Sequence, residues 1–163
     1  MKEVTEAIVE QETTSKTQGE VPEKVIKISR VAKVVKGGKN FSFSAVVVAG
    51  DGKGNVGIGL GKSNEVVDAI RKGALQAKKN AVKIKVKGDT IPHEAFGKYK
   101  ASKVKLMPAG AGTGVIAGGP IRALCDAAGI KNILTKCLGS RNPINVARAA
   151  MDGFKKLRFE RRK

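Results

Sequence analysis

Glycine occupies every second position from residue 57 to residue 61, and the apolar residues Val56, Ile58 and Leu60 alternate with it. This two-residue period predicts a β-strand, because successive side chains of a strand point to opposite faces. One face of the strand would pack apolar side chains, while the other would be bare enough for close approach by another backbone. We expect that bare face to meet RNA or a protein partner.

The residues on either side of this strand predict a small α/β unit. Residues 24–36 are rich in Val and Ile, and two glycines in the turn Lys36–Lys39 indicate a tight hairpin into a strand at residues 41–47. Beyond residue 61 the apolar spacing becomes helical over residues 64–80. The predicted buried stripe of this helix consists of Val66, Val67, Ile70, Ala74, Ala77 and Ala81. Its predicted basic outer face consists of Arg71, Lys72, Lys78 and Lys79. Three strands and one helix are thus expected here.

A second α/β unit is expected to follow. Alternating lysines predict a strand at residues 82–86, and residues 98–107 supply another. A glycine-rich stretch then leads to Pro120, which suits the first turn of a helix that Gly129 can end. Further along, residues 133–138 read as a strand. Asn142 and Pro143 suit the start of a last helix.

The first 23 residues differ from the rest, with six Glu against two Lys and no sustained periodicity. We interpret them as a mobile acidic extension. The predicted division is therefore an extension at residues 1–23, one unit at residues 24–82 and a second unit with a basic tail at residues 83–163. No apolar signal or membrane segment is visible, so we expect a cytoplasmic protein with no membrane partner.

Charge indicates the partner. From Lys24 to Lys163 the chain has 30 Lys and Arg against 8 Asp and Glu. Positive charge in such excess repels itself in a compact chain, whereas nucleic acid phosphates neutralise it and release counterions. We therefore expect nucleic-acid contact. Few aromatic residues are available to stack bases, so the contact should depend on backbone and shape.

Enzyme signatures are incomplete. Gly52–Gly57 fits GxGxxG but feeds a strand, which favours a glycine hairpin over a dinucleotide site. Gly61-Lys62-Ser63 resembles the end of a P-loop, yet Val56 stands where the first glycine of that motif is required. Lys62 and the N-terminus of the following helix could still contact one phosphate. The acids are scattered, and His93, Cys125 and Cys137 form no metal or nucleophile pattern. We expect no catalysis, no cofactor and no metal.

The glycine-rich stretch from Pro108 to Pro120 has two interpretations. It is a flexible linker, or it is a loop pressed against a partner, with Val115–Ala117 as a short strand that can bury.

Five segments resemble one family: residues 30–38 (RVAKVVKGG), 41–43 (FSF), 50–52 (GDG), 112–119 (GTGVIAGG) and 139–145 (GSRNPIN). In order and spacing they are similar to the bacterial-type ribosomal small-subunit protein five, over about Lys24 to Leu157. The resemblance implies an α+β fold: an N-terminal unit like a double-stranded-RNA-binding domain, with a three-stranded antiparallel sheet and a helix, then a C-terminal two-layer β/α domain.

The same resemblance implies a function. It suggests a structural constituent of the small ribosomal subunit, not a homo-oligomer, that binds 16S rRNA between body and head. It also implies contacts with ribosomal proteins four and eight and an influence on assembly, accuracy and translocation. The chain departs from the family in its long acidic extension, in Ala111 where an acid is often found, and in its tail from Phe154 to Lys163.

From the residues and the resemblance together, the expected rRNA contacts are Arg30, Lys33, Lys36, Gly37, Gly38, Lys39, Lys62, Arg71 and Lys72. The expected contacts on the side of protein four are Gly112, Thr113, Gly114, Gly118, Gly119 and Arg122. Two alternatives remain: a free-standing regulator that binds duplex RNA, and a nucleotide-using enzyme of a kinase-like fold. Binding of duplex RNA away from the ribosome would favour the regulator. ATP binding, together with an acid that is essential for turnover, would favour the enzyme.

Overall fold

The computed structural model describes residues 22–159. Among these residues the strands are β1 (Glu23–Val35), β2 (Gly38–Gly50), β3 (Asn55–Ser63), β4 (Val82–Lys83), β5 (Ala95–Tyr99), β6 (Ser102–Pro108), β7 (Val115–Ile116) and β8 (Ile133–Gly139). The helices are α1 (Val66–Lys79), α2 (Gly119–Ala128) and α3 (Pro143–Lys156). The α+β prediction is confirmed. Most of the predicted acidic extension lies outside the described residues, as do residues 160–163 of the basic tail; Glu23 already belongs to β1.

The first sheet is antiparallel, in the order β1-β2-β3-β4. It has four strands where three were predicted, because Val82 and Lys83 pair with Val56 and Asn55 of β3. The strand expected at residues 82–86 is thus only two residues long, and it completes the first sheet instead of opening the second unit.

The bare face of β3 packs against α1 of the same chain. A Cβ at Gly57, Gly59 or Gly61 would overlap the carbonyl oxygen of Ala77, Gly73 or Ala69, respectively. The expectation that this face meets RNA or another protein is therefore wrong. Glycine is needed here because any side chain would push the helix off the sheet.

This close approach also shifts the buried stripe of α1. The residues of α1 that are buried are Ala69, Gly73, Ala74 and Ala77. Of the predicted stripe, Val67 is 59% exposed and Ala81, beyond the helix, is exposed as well. Because the glycines of β3 let α1 approach the sheet closely, only small side chains fit between helix and sheet, and Val67 lies on the exposed side of the helix.

The opposite face of the first sheet is buried against the second unit. Val48 and Val56 belong to one core with Ile121 and Leu124 of α2 and with Phe154 of α3. The two units therefore share a continuous hydrophobic core, which stabilises both.

The glycine turn after β2 docks on the C-terminal end of α2. Gly52 N–H donates to the carbonyl oxygen of Ala127 and Gly54 N–H to that of Ala128, both at 3.0 Å. These bonds satisfy two carbonyl groups that a helix leaves free at its end. The turn leads into β3 and not into a helix, so the prediction of a glycine hairpin is confirmed.

The Asp51 carboxylate organises this turn. It accepts hydrogen bonds from the backbone N–H of Lys53 at 2.8 Å and of Asn55 at 3.0 Å. Partial burial acts to raise the pKa of Asp51, but these bonds and one from the Asn55 side chain outweigh burial and lower it.

The second sheet has the order β5-β6-β8-β7, with β7 parallel to β8 and the other pairs antiparallel. The single strand predicted at residues 98–107 is wrong, because the chain turns back at Lys100, whose φ is +51°. The apolar side chains on one face, among them Val104 and Leu106, join the core with the helices. The two-layer prediction is confirmed.

The helix boundaries of the second unit follow the predicted signals. Pro120 lies in the first turn of α2, and Gly129 ends the helix with φ +79°. The side chain of Asn142 accepts a hydrogen bond from the Ile144 N–H at 3.2 Å, which caps α3. Within residues 22–159, no helix is both long and apolar enough to cross a lipid bilayer.

The two cysteines should differ in reactivity. Cys125 is fully buried, and burial, with the charge of Asp126 added, raises its pKa to about 12. Cys137 is partly exposed, and burial raises its pKa against the opposing effect of Arg141 and Lys136. Because the thiolate is the reactive form, we expect a thiol reagent at pH 8 to label Cys137 in the folded protein and Cys125 only after unfolding. Mass spectrometry of the labelled protein checks this, and equal labelling rates would contradict it.

Candidate nucleic-acid interface

The hairpin of β1 and β2 projects beyond the first sheet. The pairing of β2 with β3 ends at Phe43 and Ser63, whereas β1 and β2 continue for five more pairs, up to Val35 and Gly38. At about 3.4 Å per residue this projection is roughly 17 Å long. Residues 32–41 are all exposed. At the tip, Gly37 has φ +98°, a conformation that glycine adopts without strain.

Cations lie on both faces and at the tip of this hairpin. The pairing register places Arg30 and Lys39 on the face that carries Phe41, while Lys33 lies on the opposite face. The Arg30 guanidinium carbon lies 3.8 Å from the centre of the Phe41 ring, which holds the side chain in place by a cation–π contact. Lys36 is in the exposed turn.

The hairpin cations follow a simple period in the sequence, which the predicted set of contacts did not use. From residue 24 to residue 39 a cation recurs at every third position: Lys24, Lys27, Arg30, Lys33, Lys36 and Lys39. Beyond the register irregularity between Val25 and Lys27, this three-residue period in a strand of two-residue period places Lys27 and Lys33 on one face of β1 and Arg30 on the other. Residues 24–50 contain no Asp or Glu. This signal adds Lys27, which is exposed and pairs with Val46, to the candidates.

Lys62 lies on the same face of the first sheet as Lys33, and not on the face that α1 covers. It pairs with Ser44 of β2, which in turn pairs with Ser29 of β1, so Lys62 lies on the sheet face that carries Lys33. Helix α1 covers the other face. Lys62 and the helix N-terminus, where Glu65 stands, therefore do not converge on one phosphate site.

The two helix candidates differ in position. Lys72 donates a hydrogen bond to Ser63 Oγ at 3.1 Å, which places it beside the end of β3, at the base of the projecting hairpin. Arg71 is exposed on the outer surface of α1. Toward the other end of the helix, Lys78 forms an ion pair with Glu23 at 2.9 Å. The ion pairs within residues 22–159 include Lys78 but neither Arg71 nor Lys72.

The predicted protein-contact residues lie on the second unit. Gly112 and Gly114 have φ of +89° and +72°, and a Cβ at Gly112 or Gly119 would meet no other atom within 4 Å. The segment is anchored all the same: Gly114 N–H donates to Asn132 Oδ1 at 3.0 Å. The predicted short strand is present as β7.

The remaining residues of the set frame the start of α2. The Gly118 carbonyl oxygen accepts hydrogen bonds from the N–H groups of Ile121 and Arg122, each at 2.9 Å. Thr113 and the Arg122 side chain are exposed. The structure thus groups these residues around one outward-facing loop, separate from the hairpin.

No three His, Cys, Asp or Glu side chains within residues 22–159 are grouped so as to hold a metal ion. The Arg158 N–H donates to His93 Nε2 at 3.0 Å, which leaves the Nδ1–H to donate to the Glu94 carbonyl oxygen at 2.8 Å. His93 therefore ties the chain before β5 to the end of α3.

Comparison with known proteins finds two matching domain families. Residues 21–85 match the family described as "Ribosomal protein S5, N-terminal domain", and residues 97–161 match "Ribosomal protein S5, C-terminal domain". The chain is 58% identical to the "Small ribosomal subunit protein uS5" of Syntrophobacter fumaroxidans (strain DSM 10017 / MPOB) over 142 residues, which cover 87% of this chain and 86% of that protein.

Proposed function

Because the chain belongs to the ribosomal protein S5 family, we propose that it is a structural component of the small ribosomal subunit, in the cytoplasm, that binds 16S rRNA through its projecting hairpin. Proteins of this family are parts of a ribonucleoprotein, not enzymes. In finer detail, we propose that the protein lies between the body and the head of the subunit. There it supports subunit assembly, translational accuracy and translocation.

The observation that carries this proposal is the charge of the hairpin. The hairpin is narrow, carries cations on both faces and contains no Asp or Glu. Such a projection is suited to a crevice in folded RNA, where phosphates approach from more than one side. Most contacts of this kind position the protein and do not read sequence. The glycines at the tip allow the backbone itself to approach RNA closely.

We further propose that the outward-facing loop around Gly112 to Arg122 contacts ribosomal protein four, and that protein eight is a second neighbour. The loop is anchored by the hydrogen bond from the Gly114 N–H to Asn132, while a Cβ at Gly112 or Gly119 would meet no atom within 4 Å. A partner backbone can approach such a surface without displacing side chains.

The hairpin proposal is tested by replacing its tip cations. We expect Lys36→Ala together with Lys39→Ala to weaken binding to small subunits that lack this protein. We also expect the log–log salt dependence to become shallower by about one unit for each lysine that binds a phosphate in the original protein. Binding is measured by co-sedimentation over a series of salt concentrations.

The matched control is Lys83→Ala with Lys87→Ala, which removes the same charge from two exposed lysines outside the hairpin. It should keep the slope of the original protein. An unchanged slope in the tip variant would remove Lys36 and Lys39 from the interface, and failure of the original protein to bind these particles would overturn the proposed function itself.

A further inference from the structure

The second sheet has an outer face that no described element covers. The helices pack on one face, and the side chains of the alternate residues point the other way. On this outer face Phe96 is 51% and Leu138 is 41% exposed, and Lys98, Lys103 and Lys136 are exposed as well.

Lysines on this face stand directly opposite one another. Lys98 of β5 pairs with Lys103 of β6, and Lys105 of β6 pairs with Lys136 of β8. Side chains opposed across an antiparallel pair have Cβ atoms about 5 Å apart, so like charges there destabilise the sheet. A surface that only needs to be soluble mixes both signs, whereas the described part of this face places four lysines beside one acid, Glu94.

Few acids compensate these lysines. Glu94 forms an ion pair with Lys105 at 2.8 Å. The ion pairs among residues 22–159 include none with Lys98, Lys103 or Lys136. Three cations are thus left on one open surface, close enough together to meet successive phosphates of a nucleic acid strand.

We propose that the outer face of β5, β6 and β8 is a second RNA-binding surface, on which Lys98, Lys103 and Lys136 contact phosphates of the same rRNA that the hairpin binds. The inference rests on the proposed function, since it assumes that the protein lies within folded rRNA. Phosphates would offset the repulsion between the opposed lysines, and the exposed ring of Phe96 offers an apolar surface to a ribose or base.

The apolar end of the same face marks where the RNA surface stops. Leu134 of β8 pairs with Ile116 of β7, and these two side chains are 38% and 50% exposed. This end adjoins the loop that we assign to a protein neighbour. The cationic and apolar halves of the sheet therefore face different partners.

The test replaces Lys98 and Lys103 together by Gln in the full-length protein. We expect the salt slope for binding to small subunits lacking this protein to fall by about two units. We also expect the melting temperature of the free protein to stay equal or rise, because the repulsion is relieved. If Lys98 and Lys103 only stabilised the fold, their replacement would lower the melting temperature and leave the salt slope unchanged. The Lys83→Ala and Lys87→Ala variant is again the control.

A photo-crosslink identifies the partner class. Leu138 lies opposite Lys103, and replacing it by benzoylphenylalanine should give, after irradiation of the bound particle, a product that ribonuclease removes. A product that survives ribonuclease and is cleaved by protease would overturn the proposal in favour of a protein partner. If the original protein and the hairpin variants behave as expected while Lys98→Gln with Lys103→Gln has no effect, this inference fails and the proposed function stands.

Discussion

Replacing Gly61 by Ala is expected to lower the free energy of unfolding by about 3 kcal/mol and the melting temperature by roughly 10 °C. A Cβ on Gly61 would overlap the carbonyl oxygen of Ala69 and press on the backbone nitrogen of Gly73. Backbone atoms of a helix cannot rotate away as a side chain can, so α1 must move off the sheet. Thermal and urea unfolding followed by circular dichroism measure the change.

The matched control is Gly110→Ala. At Gly110 a Cβ would meet no atom within 4 Å, so the same chemical change should alter the melting temperature very little. Equal effects of the two substitutions would show that the destabilisation at Gly61 comes from something other than the packing of β3 on α1.

Replacing Gly50 by Ala is expected to separate the two units, at a cost of about 3 kcal/mol. A Cβ on Gly50 would overlap the backbone carbonyl and the Cβ of Ala127. The turn from Gly50 to Gly54 would then lift from α2, and the hydrogen bonds of Gly52 and Gly54 to the helix end would break.

Two probes of unfolding distinguish this separation of the units from general destabilisation. Cys125 of α2 is buried in the core that the units share. In the Gly50→Ala variant we expect labelling of Cys125 to begin at lower urea than the decay of circular dichroism, whereas in the original protein the two transitions coincide, as two-state unfolding requires. Coincident transitions in the variant would mean that the close approach at Gly50 does not hold the units together.

Local signals predicted much of the fold. The turn at Gly37, the end of α2 at Gly129 and the cap of α3 at Asn142 each depend on a few neighbouring residues, and the structure contains all three. The strand with alternate glycines was also predicted from its period alone. The packing of α1 on the bare face of that strand was not predicted, because packing partners are set by the whole chain.

The errors have the same origin. The turn at Lys100 was missed because a lysine there takes a positive φ without the glycine that usually signals it. The two-residue β4 was misplaced because its partners in β3, Val56 and Asn55, lie 26 and 28 residues earlier in the chain. Likewise, the opposed lysines of the second sheet become visible only with the register of β5, β6 and β8, which no local pattern fixes. The assignments of the hairpin cations and of the Gly112–Arg122 loop to RNA and protein stay predictions.

The docking of the Gly50–Gly54 turn on α2 has a consequence for how the particle is built. Because backbone hydrogen bonds and a common interior join the two halves of the chain, we expect the base of the hairpin and the glycine loop to keep a fixed separation. If both surfaces bind as we propose, the protein sets the distance between its two neighbours in the particle.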